Sequence, residues 1–218
     1  MDAVKVAVVN WTAMHEDDFQ RGFDALTKQL YEFQHVWGVK ADLTPFASPR
    51  PDDRAEDQWG LILLGGPGIS GDRLEAAVTP YYQQDLTWNN LPLVRVFLAG
   101  PDCEKNWTHR ASHELLEMLI DPDHSAHVYT GAKDDPRNGL WFYAKRVCDP
   151  CAKDPYRIDG WPVSDFVYPA WFGLPGRDGK YVHTAEDIKG PFQVSQGCSI
   201  SVRPWRAEHG LGKIPFPP

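Results

Sequence analysis

The segment from residue 108 to residue 121 constrains this 218-residue chain most, because it is apolar around most of a helix yet acidic along one narrow face. At 100° per residue, Glu117, Asp121 and Glu114 lie about 40°, 80° and 100° from His113 on a helical wheel. The remaining arc carries Leu115, Leu116, Met118, Leu119 and Ile120. Crowded carboxylates repel one another and resist desolvation. We therefore predict a mostly buried helix whose acids are balanced by one cation, either a metal ion or a basic side chain.

The spacing along this face suits a zinc ion. His113 and Glu117 are one turn apart, so an imidazole nitrogen and a carboxylate oxygen can converge on one ion, as the two histidines of His-Glu-x-x-His enzymes do. Glu114 would then be the general base that accepts a proton from the metal-bound water. The alternative is a buried salt-bridge cluster, in which Arg110 pairs with the carboxylates from one turn before Glu114. The pattern alone leaves both interpretations open.

The first half of the chain predicts strands and helices in one mixed fold. Apolar and β-branched runs predict buried strands at 4–10, 59–64 and 93–98. Between Asp17 and about Val36, apolar residues recur at intervals of three and four, which predicts a long amphipathic helix that ends at Gly38. We expect the helix of residues 108–121 to end at Pro122, since proline lacks the amide proton.

The second half has a different character. Residues 123–218 are rich in Pro, Gly, Trp and Asp, with short extended pieces at 140–144 and 193–202. The sequence therefore predicts a single domain over residues 1–218, of the α+β or α/β class. Residues 1–122 would supply the sheet, two main helices and the motif, and the loop-rich half would fold across the motif helix to complete a site near residues 146–149.

Composition excludes several classes of protein. The net charge of −8 opposes nucleic-acid binding, because phosphates require a basic surface. Apolar runs stay shorter than the about 18 residues that span a bilayer. The N-terminus lacks the charged and hydrophobic regions of a signal peptide. We expect a soluble cytoplasmic or virion protein without nucleic-acid or membrane partners.

The four cysteines suit a reducing compartment better than a disulfide framework. Cys148-Asp-Pro-Cys151 resembles half of a zinc knuckle or a redox pair, but no second paired motif accompanies it. Whether these two cysteines bind metal or form disulfides stays open from the sequence.

The motif helix also resembles a family. Ser112-His-Glu-Leu-Leu-Glu-Met-Leu-Ile-Asp-Pro122 is similar to the Ser-His-Glu-x-x-Glu-x-x-x-Asp-Pro signature of largely uncharacterised zincin-like proteins from bacteria and bacteriophages, with related secreted plant proteins. Companion motifs follow in order at 143–150, 156–160 and 163–172, so the resemblance covers about half of the chain. It implies a zincin-like fold and a zinc metallopeptidase activity, which is itself inferred for the family from the helix motif.

The resemblance assigns a role to each acidic position. His113 and Glu117 match the implied metal ligands, Glu114 matches the implied base, and Asp121 and Asp149 match a second acidic shell. The match is weaker near the last strand, where the family's Gly-Gly-Tyr is replaced by Gly197-Cys-Ser199.

One position departs from the family pattern. Arg146 stands where family members usually carry a glutamate that would be a third ligand. Arginine is permanently protonated and cannot bind a metal, but its planar fork bridges carboxylates. One hypothesis is therefore a degenerate zincin without zinc, in which Arg146, with Arg110, neutralises Glu114, Glu117 and Asp121.

The competing hypothesis is an active zinc metallopeptidase with a peptide substrate, in which Asp149 or Asp121 completes the ligand set. Calcium is a third interpretation, given Asp121, Asp123 and Asp149, although histidine suits a hard cation poorly.

A different class of function is a non-catalytic bacteriophage virion or assembly protein that keeps the scaffold and binds protein partners or further copies of itself. Its binding surface would use aromatic residues of a proline-containing loop, namely Trp161, Phe166, Tyr168, Trp171 and Phe172. The simpler interpretation is that these aromatics cap the chain's own core.

Overall fold

A computed structural model describes most of the chain. The described residues are 2–46, 57–65, 91–98, 103–130, 141–176 and 179–204. Within this part of the chain, no helix combines the length and the apolar character needed to cross a membrane.

The first half is built on a four-stranded parallel sheet in the order β2-β1-β3-β4. The strands are β1 (Val4–Trp11), β2 (Ala41–Phe46), β3 (Trp59–Gly65) and β4 (Leu93–Leu98). β1 is central, and its residues 6–9 are fully buried on both faces, as is usual in parallel sheets. Three of the strands confirm the predicted ones, whereas β2 was not predicted. It is largely exposed and contains Pro45, so it lacks the apolar run that reveals a buried strand.

Two long helices lie on the same face of this sheet and share its main core. α1 (Glu16–Trp37) joins β1 to β2 and ends where Gly38 adopts a left-handed conformation, with φ of 70°, which confirms the predicted helix. α2 (Cys103–Ile120) follows β4 and contains the motif, although it begins before residue 108. The two helices approach closely at Gly22, where an added Cβ would lie 2.3 Å from Trp107 Cζ2.

The second half consists of short elements joined by loops. They are β5 (His127–Thr130), β6 (Trp141–Ala144), β7 (Tyr156–Ile158), β8 (Trp161–Val163) and β9 (Val202–Pro204), with 3-10 helices at Asp149–Cys151 and Pro169–Phe172. β5, β6 and β9 form an antiparallel sheet, and β7 and β8 form a hairpin. The extended segment predicted at 140–144 is confirmed for its described residues, 141–144, but most of 193–202 is irregular.

Both halves contribute to one hydrophobic core. Buried residues of the sheet and of α1 and α2 belong to the same cluster as the aromatics of residues 166–172. The chain is therefore a mixed α+β protein in which the second half packs against α2.

The aromatic loop is part of that core. Phe166 and Trp171 are fully buried, and Phe172 and Tyr168 are 2% and 8% exposed. Trp161 is half-buried and meets Trp107 edge-on, with ring centroids 6.3 Å apart. The simpler interpretation of these residues is thus confirmed.

Candidate metal centre

Three predicted side chains converge beside α2. His113 and Glu117 project from adjacent turns of the helix, and Asp149 begins the 3-10 helix that follows β6. One ligand atom from each residue lies within 4.8 Å of the other two. His113 Nε2 is 3.3 Å from Asp149 Oδ1, and these two side chains are 20% and 35% exposed. The cluster is therefore buried on the Glu117 side and open to solvent on the Asp149 side.

Glu117 is held by the protein backbone. One carboxylate oxygen accepts a hydrogen bond from Val147 N at 3.0 Å, and the other accepts from Cys148 N at 2.7 Å and Asp149 N at 3.4 Å. Since Glu117 is only 1% exposed, these donors replace the water that its carboxylate loses on burial. They also fix Asp149 at the start of its turn, close to His113.

The charged groups of the cluster shift one another's pKa values. Burial lowers the pKa of His113, but the hydrogen bond that its ring donates to Asp149 and the charges of Glu117 and Glu114 outweigh this effect and raise that pKa to about 9. Burial and the charge of Asp149 raise the pKa of Glu117 to about 7, against the opposing charges of His113 and Arg146. In the metal-free protein at neutral pH, the positive centre among the acids is therefore the His113 imidazolium.

Glu114 lies at the edge of the cluster and is half-buried. Burial raises the pKa of its carboxyl, the positive charges of His113 and Arg146 lower it, and Asp149 raises it. A raised pKa favours a carboxylate that must accept a proton and release it again at neutral pH.

Arg146 lies against His124 rather than between the carboxylates. Its guanidinium contacts both ring nitrogens of His124, with Nη1 3.0 Å from Nε2 and Nη2 close to Nδ1. Among the described residues it forms no ion pair with Glu114 or Glu117, although its charge lowers the pKa of both. Arg146 therefore compensates charge from a distance and leaves the position between His113, Glu117 and Asp149 clear.

Two other predicted members lie outside the cluster. Asp121 follows the last residue of α2, and both of its oxygens accept hydrogen bonds from backbone N–H groups of the next loop, at Ser125 and Ala126. Arg110 is exposed, and its guanidinium donates to the carbonyl of Phe97 at 3.2 Å. The predictions of Asp121 as a metal ligand and of Arg110 as a partner of the acids are thus corrected. Without Asp121, and with Asp123 exposed, the acidic set proposed for calcium is not assembled.

Sequence reasoning missed the residues that surround His113. His109 precedes it by one turn, a spacing visible in the sequence, and burial together with the positive charge of His113 lowers the pKa of His109. Ser164 lies behind the ring, with Oγ 3.4 Å from His113 Nδ1. Ser164 belongs to the companion motif at 163–172, but the sequence did not indicate its contact with His113, because that contact joins residues 51 positions apart.

The cysteine pair belongs to the packed interior. Cys148 and Cys151 are free thiols on the turn of Asp149, and both are fully buried. Burial raises the pKa of each well above its ordinary value, so the thiolate needed for metal binding or redox chemistry is disfavoured. Cys198, also free, accepts a hydrogen bond from Lys153 N at 3.3 Å. In the described part of the chain, cysteines do not contribute to the candidate metal group.

No family model, curated protein or solved structure matches this chain. The function of the chain must therefore be inferred from the geometry of its site.

Proposed function

We propose that this protein is a zincin-like metallopeptidase, which binds zinc through His113, Glu117 and Asp149 and hydrolyses peptide bonds. The observation that carries the proposal is the convergence of one imidazole nitrogen and two carboxylate oxygens within 4.8 Å, on one partly open cluster. Three protein ligands beside an open position are typical of catalytic zinc sites.

The donor atoms fit zinc. Imidazole and carboxylate are both common zinc ligands, whereas calcium prefers a larger set made of oxygen alone. A carboxylate offers about four lone-pair positions, and the backbone fills three of those on Glu117, which leaves one for a metal bond. His113 must give up its proton before its Nε2 can bind.

Zinc would supply Lewis acidity and lower the pKa of a bound water to about 7. Glu114 would accept the proton of that water and pass it to the departing amine. The raised pKa of Glu114 suits both steps, and the nearby charge of Arg146 limits the rise. Asp149 would supply the third ligand on the exposed side of the cluster.

Metal content and hydrolysis test the proposal together. We expect one zinc per chain, lost in Asp149→Asn and in His113→Ala, and peptide hydrolysis that a chelator abolishes. Glu114→Gln should keep the zinc and lose the hydrolysis. Asp123→Asn is the matched control, because this exposed acid lies outside the metal group and its loss should change neither quantity. Wild-type protein that binds no zinc would refute the proposal.

A second candidate is a non-catalytic virion or assembly protein that retains the scaffold. The observation in its favour is that Glu117 is already satisfied by backbone donors and His113 by Asp149, so the site is stable without an ion. Arg146, in place of the acid that family members usually carry, also favours this non-catalytic candidate. This candidate requires a folded protein without zinc affinity that associates with itself or with another protein.

A further inference from the structure

Ser164 occupies the side of the His113 ring that faces away from the metal cluster. Its Oγ is 3.4 Å from Nδ1, while Nε2 on the opposite side is 3.3 Å from Asp149 Oδ1. The two nitrogens of His113 therefore have different neighbours. Only one of them faces the cluster, and a metal bond there needs a free lone pair on Nε2.

The hydrogen bonds of Ser164 decide which nitrogen keeps its proton. A serine hydroxyl donates one hydrogen bond and accepts two. Ser164 Oγ donates to the carbonyl of Asp165 at 3.1 Å. Towards His113, the hydroxyl can then act only as an acceptor, so Nδ1 must carry a hydrogen.

The position of this acceptor is fixed by both long helices. Ser164 N donates to Ser112 Oγ at 2.7 Å, and Ser164 O accepts from Gln29 Nε2 at 2.6 Å. Ser112 belongs to α2 and Gln29 to α1, and all three residues are fully buried. The hydroxyl cannot move away from His113 without breaking buried hydrogen bonds, which is costly.

We propose that Ser164 is a positioning residue that holds the proton of His113 on Nδ1 and thereby directs the Nε2 lone pair to the metal. The second nitrogen of a metal-binding histidine is usually fixed by such an outer hydrogen bond, which also orients the ring. This inference rests on the proposed zinc site.

The test compares Ser164→Ala with Thr108→Val. Thr108 Oγ1 donates to Pro162 O at 2.6 Å, so the control also removes a buried hydrogen bond between α2 and the segment that carries Ser164. Thr108 does not contact His113 in the described structure. In metal-free protein above pH 9, where the ring of His113 carries a single proton, ¹H–¹⁵N NMR should show that proton on Nδ1, protected from rapid exchange, in the wild type and in Thr108→Val. That signal should be lost to rapid exchange in Ser164→Ala.

Zinc affinity provides the second measurement. We expect Ser164→Ala to weaken zinc binding by about 10- to 100-fold, the usual cost of losing an outer-shell partner, and Thr108→Val to leave it unchanged. If Ser164→Ala does not fold, Ser164→Cys, whose thiol is a weaker acceptor, should give an intermediate loss.

The outcomes separate this inference from the proposed function. An unprotonated Nδ1 in the wild type overturns the inference alone, as does unchanged zinc affinity in the Ser164 variants. Equal losses in Ser164→Ala and Thr108→Val also overturn it, since the effect would then be general loosening of the fold. A wild-type protein without zinc affinity overturns the inference and the proposed function together.

Discussion

The metal-free protein should lose stability as the pH rises from 6.5 to 9, because His113 is a stronger base in the folded chain than in the unfolded one. Its pKa is about 9 when folded, against an ordinary value of 6.5. Folding therefore favours the protonated ring, and this contribution is complete below pH 6.5 and is lost as the pH passes through about 9. At about 1.4 kcal/mol per pKa unit, the loss amounts to about 3 kcal/mol.

Two neighbouring groups act mainly at lower pH. The pKa of Glu117 is raised from 4.5 to about 7, so its contribution has the same sign but falls mainly between those two values. The pKa of His109 is lowered from 6.5, so its effect has the opposite sign and ends near pH 6.5. Between pH 7 and pH 9, the decline should therefore come chiefly from His113.

Urea unfolding in the presence of a chelator measures this change at each pH. The wild type should lose about 3 kcal/mol of unfolding free energy across the range. His113→Gln, which cannot titrate, should show little pH dependence there. Equal stability of the wild type at pH 6.5 and pH 9, or a full decline in His113→Gln, would contradict the raised pKa of His113 as the cause.

Three substitutions test other parts of the structure. Glu117→Gln places an amide NH₂ against backbone donors, and at pH 8 we expect urea unfolding to show a loss of about 2–3 kcal/mol; an unchanged stability would mean that the backbone contacts contribute little. Gly22→Ala puts a methyl group 2.3 Å from Trp107 Cζ2 and should cost about 1–3 kcal/mol in the same assay, whereas a stabilised variant would show that the helices are not in close contact. Asp165 accepts hydrogen bonds from the backbone and side chain of Thr184, so Asp165→Asn should speed amide hydrogen exchange at Thr184 and would contradict the structure if exchange there stayed slow.

The sequence predicted those helices and strands in which apolar residues recur at the positions that are buried in the structure. The α1 stripe, the strands at 59–65 and 93–98, and the motif helix all carry apolar residues where the core requires them. β2 was not predicted, because an exposed edge strand does not need apolar residues at regular positions. The order β2-β1-β3-β4 could not be predicted either, since pairing depends on contacts between distant segments.

The site was predicted only in part, for reasons of geometry. A helical wheel gives the direction of a side chain around the axis but not its height along it. Arg110 therefore shares a face with Glu117 while lying seven residues, or roughly 10 Å, away from it. Asp121 lies beyond the last helical residue, where the wheel no longer applies. The backbone donors that hold Glu117 carry no side-chain pattern, and they lie 30 to 32 residues away in the chain.

The acidic face of α2 is balanced by several modest sources of positive charge rather than by one cation. Backbone N–H groups hold Glu117, the His113 imidazolium lies against Asp149, and Arg146 acts from a distance. Because these groups already balance the acids of α2, the protein should fold without a metal. Whether the chain folds therefore cannot distinguish a peptidase from an inactive scaffold. The distinction depends instead on a competition at His113 Nε2, where zinc must displace a proton that Asp149 and Glu117 help to retain. In an active enzyme, zinc must replace the proton on His113 Nε2 at neutral pH. In a scaffold protein, that nitrogen can remain protonated.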